Sequence, residues 1–258
     1  MKGAVSYKLY AFWKARPESP ESCAQHMARM FEELAAIHPA FSRWYEQTMD
    51  LVPPPDKPFC TMPPRVEELA AKLYAGRHIA DASGEVMPQL GYSISAWNGN
   101  RGSQGLALLM NVGAYTERMT EPNRFNFNFH KLEPGNESLL NAKVLEKVLL
   151  AVVSAWDADW GVIETWGYEG RLKNADGQLF RPWGGWITYL SPGYASRISP
   201  PRNVKAEKTP NGGLLILATE EPFNAGNPAH VAAVDAVQAC LKPIQIAPPL
   251  RGIQRPAQ

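Results

Sequence analysis

Apolar and polar residues alternate along Val5, Tyr7, Leu9 and Ala11, with Ser6, Lys8 and Tyr10 between them, which predicts a strand running towards Trp13 with one face buried. Pro17 and Pro20 end it. Ser19 is placed to cap a helix in which Cys23, Met27, Met30, Phe31, Leu34 and Ile37 recur at helical spacing. Six prolines crowd between Pro53 and Pro64, excluding regular helix or a central strand, so residues 51–64 read as a proline-rich loop. Pro64 opens a short helix with Val66, Leu69, Ala70 and Leu73 on one side and Gly76 at its end.

Strand signals then come in quick succession. Leu90 to Trp97 and Gly105 to Val112 flank Asn98, Gly99, Asn100, Arg101 and Gly102, which predicts a hairpin. Arg124 to His130 alternates three phenylalanines with polar residues and is the clearest strand in the chain. From Ser138 to Trp156, Leu140, Val144, Leu145, Val148, Leu149, Val152 and Val153 form an apolar face too broad for a surface helix. Trp160 to Tyr168 and Trp186 to Leu190 are strands, with a turn at Asp176 and Gly177 between them. Val204 to Lys208 and Leu214 to Thr219 make a second hairpin around Pro210 to Gly213. A last helix starts at Asn227 and Pro228 and carries Val231, Ala233, Val234, Val237 and Leu241.

Clustered strands without alternating helices predict an α+β fold, with a mostly antiparallel or mixed sheet in two sub-sheets packed with about four helices. The expected organisation is a single domain over residues 1–258, softly divided near Ala158, with an irregular tail over 243–258. The 258 residues suffice for a sizeable core.

Charge and cysteine usage narrow the functional classes. Lysine and arginine number 26 against 25 acidic residues, so no overall field draws in nucleic acid or an anionic membrane, and neither is expected as a direct partner. Cys23, Cys60 and Cys240 are far apart, odd in number and without a CxxC pair, which argues against a zinc site or disulfide framework; Cys23 and Cys240 lie in apolar helical patterns and read as core thiols, which fits a reducing compartment. No apolar run reaches membrane-spanning length and residues 1–16 hold no continuous apolar h-region, so a cytoplasmic location is expected.

The chain lacks the usual catalytic constellations. His26, His38, His78, His130 and His230 form no close ligand pair, Gly91 to Ser95 ends in serine where a nucleophile elbow needs glycine, and no glycine-rich phosphate loop occurs. No cofactor, metal or small-molecule substrate is expected. The enzymatic alternative is a hydrolase using Asp159 and Glu164, with Asp157 and Glu169 nearby, although Asp157 and Asp159 read more simply as the end of the preceding helix. Trp97, Trp166, Trp183 and Trp186 lie at strand ends or beside loops, where tryptophan serves either as core or as an interface anchor.

Trp13, Arg16, Glu18, Ser19 and Cys23, with Leu34 and Trp44 downstream, resemble the start of the immunity protein 52 family of bacterial polymorphic toxin systems. Trp97-Asn98-Gly99, Gly185-Trp186 with Tyr189-Leu190, and Gly212-Gly213 with Leu215 continue the resemblance over most of the chain. It implies an α+β protein encoded beside a secreted toxin, of the type VI secretion kind, with a restriction-endonuclease-like nuclease activity. The implied action is stoichiometric capture of that cognate toxin, with no catalytic residues. For the partner surface the candidates are Trp183, Tyr194, Arg171 and Arg197, in the loop-rich stretch between Gly170 and Pro201, unless they merely cover a sheet. A structural or secretion-accessory role is the remaining class.

Overall fold

A computed structural model describes residues 6–47, 58–100, 104–116, 119–131, 135–165, 168 and 180–246. The expected turn at Asp176 and Gly177, most of the tail and the core of the proline-rich loop lie outside them.

The alternation at the start folds as β1 (Ser6–Trp13), and Ser19 caps α1 (Pro20–Ile37) by accepting a hydrogen bond from the Ser22 N–H. Pro39–Phe41 forms a 3₁₀ turn before β2 (Arg43–Glu46), and β3 (Cys60–Thr61) is a two-residue edge strand, as far as the prolines around it allow. Next come α2 (Val66–Ala75), β4 (Tyr92–Trp97), β5 (Leu106–Val112) and β6 (Asn123–Lys131). The long central helix α3 (Ala142–Trp156) begins later than its apolar pattern, because the Asn141 carboxamide caps the Val144 N–H and leaves Leu139 and Leu140 in the preceding turn. Nine of its fifteen residues are buried, as its broad face requires.

The second half contains β7 (Trp160–Thr165), β8 (Ile187–Leu190), the one-turn helix α4 (Pro192–Ala195), β9 (Lys205–Lys208), β10 (Leu214–Leu217) and α5 (Pro228–Cys240). The four expected helices are all present, and α4 is additional. Both expected hairpins are antiparallel pairs, β4 with β5 and β9 with β10.

Among the described residues the strands form one open sheet of ten, ordered β3-β2-β4-β5-β6-β1-β7-β8-β10-β9, with every pairing antiparallel. The first strand of the chain lies in its middle. It pairs with β6 on one side and β7 on the other, so it joins the two sub-sheets edge to edge.

One face of this sheet carries α1, α2 and α3. Met27, Met30, Phe31 and Leu34 from α1 and Leu145, Val148, Leu149 and Val152 from α3 meet Leu9, Leu108, Met110, Phe125, Phe127 and Phe129 in a single apolar cluster. Aromatic packing fixes its geometry: Trp44 stacks on Phe31, and the Phe127 ring meets Phe41 and Trp44 edge-on. No helix among the described residues is long and apolar enough to cross a membrane.

Candidate partner-binding surface

The opposite face of the sheet is built from the alternate residues of the same strands, and the pairing register arranges them in three cross-strand ladders. The first runs Ser93, Asn111, Arg124, Phe12, Trp160 and Leu190. The second runs Ser95, Leu109, Asn126, Tyr10, Val162 and Thr188, and the third Trp97, Ala107, Asn128, Lys8 and Glu164. Each ladder changes character along its length. On β4, β5 and β6 its members are half-buried, with Asn128 exposed, whereas on β7 and β8 they are buried.

The buried end is covered by a thin layer. Leu241 and Ile244, just beyond α5, join Trp183 and Tyr194 over Phe12, Trp160, Val162 and Leu190 in a second, smaller apolar cluster. Phe12 stacks on Trp160 with ring centres 4.5 Å apart, and Trp183 meets Trp160 edge-on at 4.8 Å. Trp183 also abuts Tyr10, the last residue of its ladder before the half-open region. The backbone of Arg181 is pinned by a two-way bridge to Ile246.

Two carboxylates sit within this layer, each gripped by an indole. The Trp160 Nε1–H donates to Glu121 Oε1 at 2.6 Å, and the Trp183 Nε1–H donates to Glu164 Oε2 at 2.9 Å. Glu121 is 5% exposed, and burial pushes its carboxyl above the usual range, against the pull of the Trp160 hydrogen bond and the Arg181 charge. Arg181 Nη1 lies 3.4 Å from Glu121 Oε2, while the guanidinium sits over the Phe12 ring at 4.6 Å. The Tyr194 hydroxyl is pushed up to about 12, first by burial and then by the nearby Glu121 and Asp159 charges. Glu121 and Arg181 had no signature in the sequence, since Glu121 stands in a loop of no clear periodicity and meets its partners only through the fold.

The residues selected from sequence are placed as follows. Trp183 is 4% exposed and Tyr194 9%, so both build the covering layer. Arg197 is exposed beside them, with Nη2 3.4 Å from the Pro243 carbonyl oxygen. Arg171 lies outside the described residues, as do Trp166 and Glu169.

For the hydrolase alternative, Asp159 and Glu164 are five residues apart on extended chain, about 16 Å at strand rise, well beyond the reach of a carboxylate pair sharing one bond. Asp159 Oδ2 instead accepts the Lys14 N–H at 2.9 Å, and burial raises its carboxyl above the ordinary value. Asp157 caps α3 in the left-handed region at φ 45°, the helix-ending role its position suggested. Among the described residues no group of three or more His, Cys, Asp or Glu could hold a metal ion. The Cys23 and Cys60 thiols are buried and pushed up to about 12 by desolvation.

A sequence profile for immunity protein 52 matches residues 6–250. The chain belongs to the immunity protein 52 family. Membership implies an immunity protein, and with it a cognate toxin as partner. No curated protein sequence matches the chain. Among solved structures, the Pseudomonas aeruginosa T6SS protein PA0821 has a similar fold, with a TM-score of 0.54 at 12% identity, over 93% of this chain and 76% of that one.

The motifs that carry the resemblance to the immunity protein 52 family are scaffold residues. Trp13 stacks on Trp156, and Arg16 bonds both Glu18 and the Trp156 carbonyl at the end of α3. The Asn98 carboxamide donates to the Ala40 and Gln104 carbonyls and accepts from the Asn100 and Leu106 N–H groups, closing the β4–β5 hairpin. Gly99 follows at φ +77°, where a Cβ would lie 2.5 Å from the Tyr45 ring. At Gly185 a Cβ would come within 2.5 Å of the Ile163 carbonyl oxygen, so only glycine lets this segment lie against β7. Tyr189 accepts from Asn211 in the β9–β10 hairpin, and the Trp186 indole donates to the Thr219 carbonyl.

Proposed function

We propose that this chain neutralises a secreted toxin by stoichiometric capture in the cytoplasm of the cell that makes it and its kin, acting by binding and not by catalysis. The observation that carries the reading is the family match over residues 6–250. The toxin is proposed to be a restriction-endonuclease-like nuclease, as the resemblance implied. A type VI secretion route fits the similarly folded Pseudomonas aeruginosa protein, which is a T6SS protein, while the likeness by itself concerns the fold.

The layer formed by Trp183, Tyr194 and Arg197 is proposed as part of the contact, with Arg197 as its exposed anchor and Arg171 adjoining it in sequence. Interfaces of this kind bury about 1,200–2,000 Å² and draw most of their affinity from a few aromatic and arginine residues. Trp183 and Tyr194 then act mainly by holding the layer's shape.

The test is co-expression with the product of the adjacent toxin gene. Rescue of growth together with a co-purified one-to-one complex is the expected result. Arg197→Ala is expected to weaken that complex by about 10-fold or more, the scale of an interface anchor. A folded chain that neither rescues nor binds would remove the immunity reading.

A further inference from the structure

The half-open part of the second sheet face has a sorted charge. On β4, β5, β6 and β1 the three ladders contain no carboxylate, although the chain as a whole has nearly as many acids as bases. Their charged members are Lys8 and Arg124, and Asn111, Asn126 and Asn128 add amides. The first acid met along any ladder is Glu164 on β7, which is 6% exposed and engaged by Trp183. Glu121, within the covering layer, is likewise buried and held by Trp160 and Arg181.

Arg124 stands in the first ladder, on β6. Its Nε donates to Asn111 Oδ1 at 3.1 Å, so a neutral side chain orients the guanidinium. Across the strand pair it neighbours Phe12, over which Arg181 lies. The side chain of Arg181 is about a third exposed, so a second guanidinium stands at the border of the covering layer.

We propose that this face, carrying Arg124 and bordered by Arg181, is where the toxin docks, and that it engages a carboxylate-rich patch of the toxin. The proposal rests on the immunity reading above and adds the partner's chemistry. A planar guanidinium pre-oriented by an amide matches a carboxylate in a bidentate pair, and flanking amides supply further donors. Half-exposed tyrosine and tryptophan at Tyr10 and Trp97 provide the apolar contact that excludes water around such pairs. Carboxylates that hold a divalent ion are the acidic patch a metal-dependent nuclease would present. Covering them would block its chemistry directly.

The experiment measures binding of purified toxin to the wild-type chain and to Arg124→Glu, Asn128→Glu and Arg65→Glu. Asn128 is exposed, so its substitution carries no packing cost, and Arg65 stands at the start of α2 on the other side of the sheet as a control. Arg124→Glu and Asn128→Glu are expected to weaken binding by about 100-fold and about 10-fold, with Arg65→Glu within about 2-fold of wild type. Association by the wild type should also slow as salt is raised. Wild-type affinity in both Arg124→Glu and Asn128→Glu, with a complex still formed, would overturn the surface while leaving the immunity reading intact. Capture of a single-stranded oligonucleotide on this face, with toxin binding unaffected by the substitutions, would overturn it in favour of nucleic acid. No complex with the wild type would remove both readings.

Discussion

At the scale of single residues, the buried carboxylate of Glu121 makes the sharpest prediction. Its pKa in the folded chain is raised by burial, so protonation favours the folded state. Its contribution is fully present below the ordinary carboxylate pKa and is lost as pH rises through the raised folded value. Glu121→Gln retains an oxygen for the Trp160 indole and cannot ionise. Urea midpoints measured from about pH 4 upward should therefore show the wild type losing stability relative to the variant as pH rises. A constant difference across that range would show that the Glu121 carboxyl titrates alike in the folded and unfolded chain. The sequence revealed none of this, because Trp160 and Arg181 reach Glu121 from positions 39 and 60 residues away, with no local pattern to mark the meeting.

At the scale of elements, local signals did much of the work. The Ser19 cap, the period of α1 and the Phe-Asn alternation of β6 each depend on neighbours within a few residues, and each formed where expected. The β4–β5 hairpin shows how a motif acts. Asn98 is buried and makes four hydrogen bonds within the turn and to the chain around Ala40. Asn98→Ala leaves those backbone groups without it and is expected to cost about 2–3 kcal/mol, the scale of buried hydrogen-bonding groups left unpaired. Urea unfolding would measure the loss, and faster amide exchange at Leu106 would locate it. The one-turn helix α4 escaped notice because four residues give too little periodicity to read.

At the scale of the whole molecule, the central place of β1 is the organising fact. Both halves of the chain are hydrogen-bonded to the same strand, and their apolar residues share one cluster with α1 and α3. We therefore expect the two sides of the soft division near Ala158 to unfold together. Phe127→Ala on β6 and Ile163→Ala on β7 are expected to cost about 3–5 and about 2–5 kcal/mol, typical of large fully buried side chains. Tryptophan fluorescence and far-ultraviolet circular dichroism should report a single transition for each variant. A transition that splits for either one would show two separable units. The edge strand β9, with Lys205, Glu207 and Lys208, carries enough charge to discourage pairing with another sheet, so it adds no competing surface.

The sequence by itself determined the kinds of elements, most of their limits, the α+β class and the family, because periodicity, capping and turn chemistry act over short distances. It also marked Trp183, Tyr194 and Arg197 as notable without deciding which would be exposed. Only the tertiary structure decided that, since the exposure of an aromatic residue depends on what the rest of the chain lays over it. The same holds for the charge-sorted face. Arg124, Asn128 and Lys8 are polar members of alternating strands in the sequence, and they become one surface through the antiparallel register of β1 with β6, which no local pattern encodes.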